Sequence, residues 1–185
     1  MKNRLLKVWF LLLTVFMTLS ALAQECTDQP SLLNSSTKEF IKHNDGTVTH
    51  LETRLMWKQC LEGKSGDCSE GNLSLLSWQQ ALEAVVEVNA NGGFAGYADW
   101  RLPNAKELAS IIEYGCHKPA INLSVFSNMP NSENLKVWSS TASDIFSGGF
   151  HIKSWYAEYE DGSVSWNNAN RASQSYAVHL VRGAQ

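Results

Sequence analysis

Four cysteines, Cys26, Cys60, Cys68 and Cys116, restrict what this chain can fold into more than any other feature. The segment ahead of them has a basic start at Lys2, Arg4 and Lys7, an almost unbroken apolar run from Val8 to Leu19, and small residues at Ala21 and Ala23. This pattern predicts a secretory signal over residues 1–23, cleaved after Ala23, with residues 24–185 as one domain in the periplasm or outside the cell. The apolar run falls short of the roughly 20 residues a spanning helix needs, so no stable membrane anchor is expected after cleavage. Gln24 and Glu25 precede Cys26 where a lipidated cysteine needs a small residue, which speaks against a lipid anchor. All four cysteines survive cleavage, and an even number in an exported chain reads as two disulfides. Three pairings are possible. Cys60 and Cys68 flank the turn-rich Gly63-Lys64-Ser65-Gly66-Asp67, so they are expected to pair with each other and to leave Cys26 with Cys116. No C-x-x-C pair with a nearby histidine supports a zinc site instead.

Removing the signal leaves 12 Lys and Arg against 18 Asp and Glu, which takes the formal charge from -3 to -6. Polyanions are captured by clustered Lys and Arg that release counterions, so nucleic acid is not an expected partner. The chain has 185 residues, 44% of them apolar, which suits one buried core rather than two domains.

Local patterns outline the elements. Asn44-Asp45-Gly46 is a turn between β-prone flanks, and Leu55-Met56-Trp57 reads as a short buried strand. Ser77 with Gln80 forms a capping box that opens a helix, with Trp78, Ala81, Leu82, Val85 and Val86 on one apolar face and an end near Asn89 to Gly93. Asn104 with Glu107, just after Pro103, opens a second helix whose Leu108, Ile111 and Ile112 face the core until Tyr114-Gly115. After Cys116 about twenty irregular residues lead to a strand at Val137 to Thr141. Asp161-Gly162 joins a hairpin between Ile152 to Glu160 and Ser163 to Asn167, and Tyr176 to Val181 alternates as a closing strand.

These segments carry a resemblance. Asp45-Gly46-Thr47-Val48-Thr49, Leu55-Met56-Trp57, Gly96-Tyr97-Ala98-Asp99-Trp100-Arg101-Leu102-Pro103-Asn104 with Glu107-Leu108, Trp138-Ser139-Ser140-Thr141 and Val178-His179-Leu180-Val181-Arg182 occur in the order seen in the Lcl C-terminal domain family. The chain resembles this bacterial family of unknown function, named after the end domain of a collagen-like adhesin, from about Phe40 to Gly183. The family is similar to the C-type-lectin-like group that includes formylglycine-generating enzymes. The resemblance implies a compact α+β domain, two helices packed on a small, mainly antiparallel sheet with long loops, and an exposed face near the carboxyl-terminal strands. Two positions depart from the family's pattern. Arg54 stands where the family often has Gly before Leu-Met-Trp, and His179 replaces the first Arg of V-R-L-V-R.

Asp99 and Arg101 are expected to form a charge-assisted pair, Trp100 and Leu102 to bury apolar surface, and Pro103 with Asn104 to start the helix. Trp57, Trp78 and Trp138 read as core anchors. Function is expected elsewhere, in the late hairpin. There Trp155, Tyr156, Tyr159 and Trp166 are interleaved with Asn167, Asn168, Asn170, Arg171, Ser173 and Gln174. Strand alternation turns part of this set outward, and aromatic area beside amide groups is what glycan and protein contact surfaces use. Trp155, Tyr156, Tyr159, Trp166, Asn168, Asn170 and Arg171 are therefore the candidate ligand-binding residues, for a cell-surface or envelope glycan or protein.

Trp166-Asn167-Asn168 resembles the W-N-D calcium segment of lectins with a neutral amide in place of the acid, so calcium is a weak candidate and no other cofactor is expected. The hydrolase, zinc-protease, P-loop and dinucleotide motifs are all missing, and no cysteine follows Cys116 to supply the late pair of formylglycine-generating enzymes. His43, His50, His117, His151 and His179 show no ligand spacing. A non-catalytic recognition or adhesion module is thus the first expectation. An envelope glycan hydrolase using Glu158 and Glu160, and an assembly subunit without a small ligand, are the alternatives.

Overall fold

The computed structural model describes residues 24–28, 39–130, 134–146, 150–169 and 173–184, without the side chains of residues 143–146, 150 and 151. The expected signal, residues 1–23, lies outside the described residues. In chain order the elements are β1 (Glu25–Cys26), β2 (Phe40–Lys42), β3 (Thr47–His50), β4 (Leu55–Lys58), β5 (Lys64–Ser65), β6 (Glu70–Gly71), α1 (Trp78–Ala90), α2 (Ala105–Ala109), β7 (Cys116–His117), β8 (Lys136–Phe146), β9 (Phe150–Glu158), β10 (Val164–Asn168) and β11 (Val181–Gly183). One antiparallel sheet has four strands in the order β11-β4-β3-β2, another has three in the order β10-β9-β8, and β1-β7 and β5-β6 are two-stranded ribbons. This is the expected α+β class, with several small sheets rather than one.

Successive strand residues point to opposite faces, and the chain uses both. In β4, Leu55 and Trp57 enter one apolar cluster with Phe40, Phe126 and Tyr159. Met56 enters a second with Trp100, Trp138 and Leu180. Val137 and Trp138 of β8 divide in the same way. Strands β4 and β8 therefore have apolar packing on both sides, which is why Leu-Met-Trp is a continuous apolar run rather than an alternating one.

Cys26 and Cys116 are directly opposite in the β1-β7 ribbon and are bonded, as are Cys60 and Cys68. Both expected pairings are present, and bonded cysteines place folding in an oxidising compartment rather than the cytoplasm. Among the described residues no helix is long and apolar enough to cross a membrane.

Both capping boxes form. Ser77 Oγ accepts the Gln80 N–H while Gln80 Oε1 accepts the Ser77 N–H, and Asn104 with Glu107 does the same. Several expectations are corrected, among them β8, which runs past Thr141 to Phe146. Val86 is exposed rather than on the buried face of α1, because it sits at the margin of the stripe set by Trp78, Ala81 and Val85. The second helix ends at Ala109 instead of continuing toward Tyr114. Ile112 pairs with Ile121 and the Glu113 N–H reaches Ala120 O, so cross-chain pairing takes over from the helix while Ile111 and Ile112 remain buried. The closing strand is Val181–Gly183, not Tyr176 to Val181. Tyr176 bridges Leu76 and Ala177 bridges Val137, and neighbours that pair with different segments cannot build one ladder.

The family-like motifs are joints between elements. Arg101 is bidentate to Glu107 at 2.7 Å and 2.7 Å, not paired with Asp99. Asp99 instead accepts from Arg182 Nε at 2.6 Å and Nη2 at 3.1 Å. The reason is that Asp99 and Arg101 flank the buried Trp100 and are drawn to different partners. Trp100 is clamped by Asn89, whose amide exchanges two hydrogen bonds with the Trp100 backbone. The register of β8 against β9 shifts between Trp138 and Ala142. At this irregularity Ser139 O accepts from Trp78 Nε1, the Ser140 N–H reaches Pro103 O, and Thr141 Oγ1 accepts the Ala105 N–H. Trp-Ser-Ser-Thr thereby fastens α1 and the start of α2 to the three-stranded sheet.

Arg54 has φ of 54°, so the left-handed turn before β4 is made by a residue with a side chain. Gly carries no Cβ penalty there. Arg54→Gly is expected to stabilise the domain by about 1 kcal/mol, read as a rise in the urea midpoint at unchanged m-value. A lower midpoint would mean that the exposed Arg54 side chain contributes more than the backbone strain costs.

Candidate functional site

The late hairpin is held at its turn. Asp161 Oδ1 accepts the Ser163 N–H, and Gly162 has φ of 79° with a Cβ position only 2.6 Å from Ile112 Cγ2. A side chain at Gly162 would push the hairpin off the core. With the turn anchored, the register is set: Val164 faces Ala157, Ser165 faces Tyr156, Trp166 faces Trp155, and Asn167 faces Ser154.

That register divides the candidate residues into two faces. On one, Ala157 and Val164 pack into the first core cluster. The next pair outward on the same face is Trp155 with Trp166. Directly opposed residues on neighbouring strands are side-chain neighbours on one face, so Trp155 and Trp166 share this face. Trp166 is 47% exposed and Trp155 half-buried. Asn168 and Lys153 are the next pair on this face, and the Lys153 ammonium lies 3.0 Å from the centre of the Trp166 ring. A cation over an indole face is an attractive contact of about 0.5–1 kcal/mol at exposed sites, so Lys153 steadies Trp166.

The other face packs its rings against the second apolar cluster, with polar groups around them. Tyr156 meets Trp138 edge to face at 6.5 Å and Tyr176 at 5.1 Å. Asn167 Nδ2 donates to the Tyr176 hydroxyl at 2.8 Å. Lys136 Nζ sits over Tyr156 and Tyr176 and 3.7 Å from Glu158. Burial raises the Glu158 carboxyl above the usual range, opposed by Lys136 and reinforced by Asp161 and Glu160.

The structure thus brings Trp155, Trp166 and Asn168 to one face and places Tyr156 on the opposite one. Tyr159 is fully buried and does not reach either surface, because its parity along β9 matches Ala157 and points into the core. Its hydroxyl donates to His179 Nδ1 at 2.9 Å, and His179 Nε2–H donates to Lys58 O at 2.7 Å. Asn170 and Arg171 lie outside the described residues. Sequence reasoning missed Lys153, although its spacing of two from Trp155 was the signal that both share a face.

Neither carboxylate of the hydrolase alternative is without an internal contact. Glu158 faces Lys136, and Glu160 Oε2 accepts the Asn134 N–H at 2.7 Å. In the calcium-like segment, Asn167 Oδ1 accepts the Asn168 N–H at 2.9 Å.

In comparison with known proteins, the model of the Lcl C-terminal domain matches residues 46–182. No curated protein matches the chain.

Proposed function

Since the chain belongs to the Lcl C-terminal domain family, we propose that it is an exported, non-catalytic recognition module that contacts an envelope or cell-surface glycan or protein through the Trp155–Trp166 face. Export in this reading rests on the amino-terminal segment of residues 1–23, cleaved after Ala23, and on the two disulfides. A relationship to the C-type-lectin-like group belongs to the same proposal and rests on the Trp100-Arg101-Leu102-Pro103 segment.

The observation that carries the reading is the pairing of Trp155 and Trp166 outside both apolar clusters. A folded chain gains by burying large aromatic surface, and a half-open indole pair steadied by Lys153 leaves that gain to a partner. Aromatic anchors of this kind dominate the energetics of contact surfaces.

The test is binding of the purified, oxidised protein to glycan and envelope-protein arrays, alongside the Trp155→Ala, Trp166→Ala double variant. A saturable signal that weakens at least about tenfold in the variant, at unchanged thermal stability, is the expected result. Binding that survives both substitutions would remove this face from the function. Turnover of a glycan that disappears with Glu158→Gln would replace recognition by hydrolysis.

A further inference from the structure

A third group of chemistry-bearing residues lies away from the late hairpin, at the end of the β2-β3 hairpin. Phe40 of β2 is directly opposite His50 of β3, and the Leu51 N–H donates to Glu39 O at 2.8 Å, which extends the ladder by one step. The chain then turns through Leu51 to Arg54 into β4. Glu39, His50 and Glu52 are thereby gathered, with one ligand atom from each within 4.8 Å of the others.

His50 is the centre of this arrangement. It is 2% exposed, its ring stacks on Phe40 at 4.5 Å with the planes 15° apart, and Thr53 Oγ1 lies 2.9 Å from its Nδ1. A hydroxyl can accept from Nδ1–H as readily as it donates. In the accepting arrangement the Nε2 lone pair is left for a ligand, and the ring is fixed in place by Phe40 on its face and Thr53 at its edge. That is how a metal-binding imidazole is oriented by its outer partner. Among the described residues no hydrogen bond or ion pair joins His50 to Glu39 or Glu52. A nearly buried imidazole thus stands beside two carboxylates to which, among the described residues, it makes no hydrogen bond.

We infer that Glu39, His50 and Glu52 form a binding site for a divalent transition-metal ion of the zinc class. One imidazole nitrogen with two carboxylate oxygens suits zinc better than calcium, which takes oxygen ligands almost exclusively. Donor atoms around a tetrahedral zinc stand about 3.4 Å apart, given bond lengths near 2.0–2.2 Å. The donor separations must therefore close by up to about 1.4 Å from the 4.8 Å limit, which the three torsions of each glutamate supply. The bound ion would tie the residue leading into β2 to the turn leading into β4, and water would complete its coordination from the exposed Glu52 side. This site is independent of the Trp155–Trp166 face.

The experiment is a titration of the metal-stripped, oxidised protein with Zn²⁺, read by calorimetry and by the shift in melting temperature. One saturable site that raises the melting temperature is expected, with affinity reduced at least tenfold in Glu52→Gln and in His50→Gln. Because His50 is buried and stacked, His50→Gln tests the site only if it folds. Glu52 is exposed, so Glu52→Gln decides the matter on its own. Glu25→Gln serves as the control, since Glu25 meets His117 at 2.9 Å and is the competing surface pair. The inference is overturned if no saturable Zn²⁺ binding occurs, or if Glu52→Gln binds as tightly as the unaltered protein, or if Glu25→Gln is the variant that loses binding.

Discussion

Replacing Cys26 and Cys116 together by Ser should lower unfolding stability by about 4.6 kcal/mol in the chain-entropy account of cross-links. The bridge spans 90 residues of sequence, so cutting it releases a long loop in the unfolded chain. The same change at Cys60 and Cys68, eight residues apart, should cost about 2.5 kcal/mol. The order of the two effects is the sharper test, because strain and residual structure reduce either value. In the folded state the long bridge also holds a short ribbon whose Gln24 Nε2 donates to Pro119 O and Ile121 O. Urea denaturation of the two double-Ser variants would check this. A smaller loss for Cys26 and Cys116 than for Cys60 and Cys68 would show that β1 stays docked without its covalent tie.

Acid should destabilise the domain through His179. The ring is fully buried, and burial lowers its pKa from 6.5 to about 4. The folded state therefore keeps His179 neutral where the unfolded chain already binds a proton. Between pH 6.5 and pH 4 the unfolded state holds more protons, so stability rises with pH across that window and falls as the solution is acidified. At full effect the loss is on the order of 3 kcal/mol. Neutral His179 also fits its bonds: Lys58 O can only accept, so Nε2 carries the proton and Nδ1 accepts from Tyr159. Burial raises the Tyr159 phenol well above its ordinary value, which keeps it a donor throughout. The check is the urea midpoint at pH 7 and pH 4.5 for the unaltered protein and for His179→Gln, whose amide can replace both bonds without titrating. A smaller pH response in the variant is expected. Equal responses would assign the acid sensitivity to other groups, such as Asp99 and Glu107, whose pKa values are lowered by Arg182 and Arg101.

His179 also shows what the closing segment does physically. The side chain sits among Trp57, Phe126 and Tyr159, inside the first core cluster rather than on a surface. The nearby Arg182 is 3% exposed, with its guanidinium 3.9 Å over the Tyr97 ring and its charge met by Asp99. Both residues of the closing segment therefore act in packing.

What could be read from the sequence is what adjacent residues decide among themselves. The Asn44-Asp45-Gly46 and Asp161-Gly162 turns, both capping boxes and the Cys60–Cys68 loop each depend on residues within about ten positions of one another, so their side chains announce them. Short apolar runs also marked Trp57 and Trp138 as core residues, and both are buried. The structure alone decided which charges meet. Asp99 takes Arg182, 83 residues away, rather than the Arg101 two positions on, because strand β11 returns beside the loop that carries it. It also decided which aromatics of the late hairpin remain outside: parity sends Tyr159 inward with Ala157, whereas Trp155, of the same parity, lies one step beyond the edge of the core. Period and spacing tell on which face a residue lies, but where the packed layer ends depends on elements brought from elsewhere in the chain, and no local pattern records that distance.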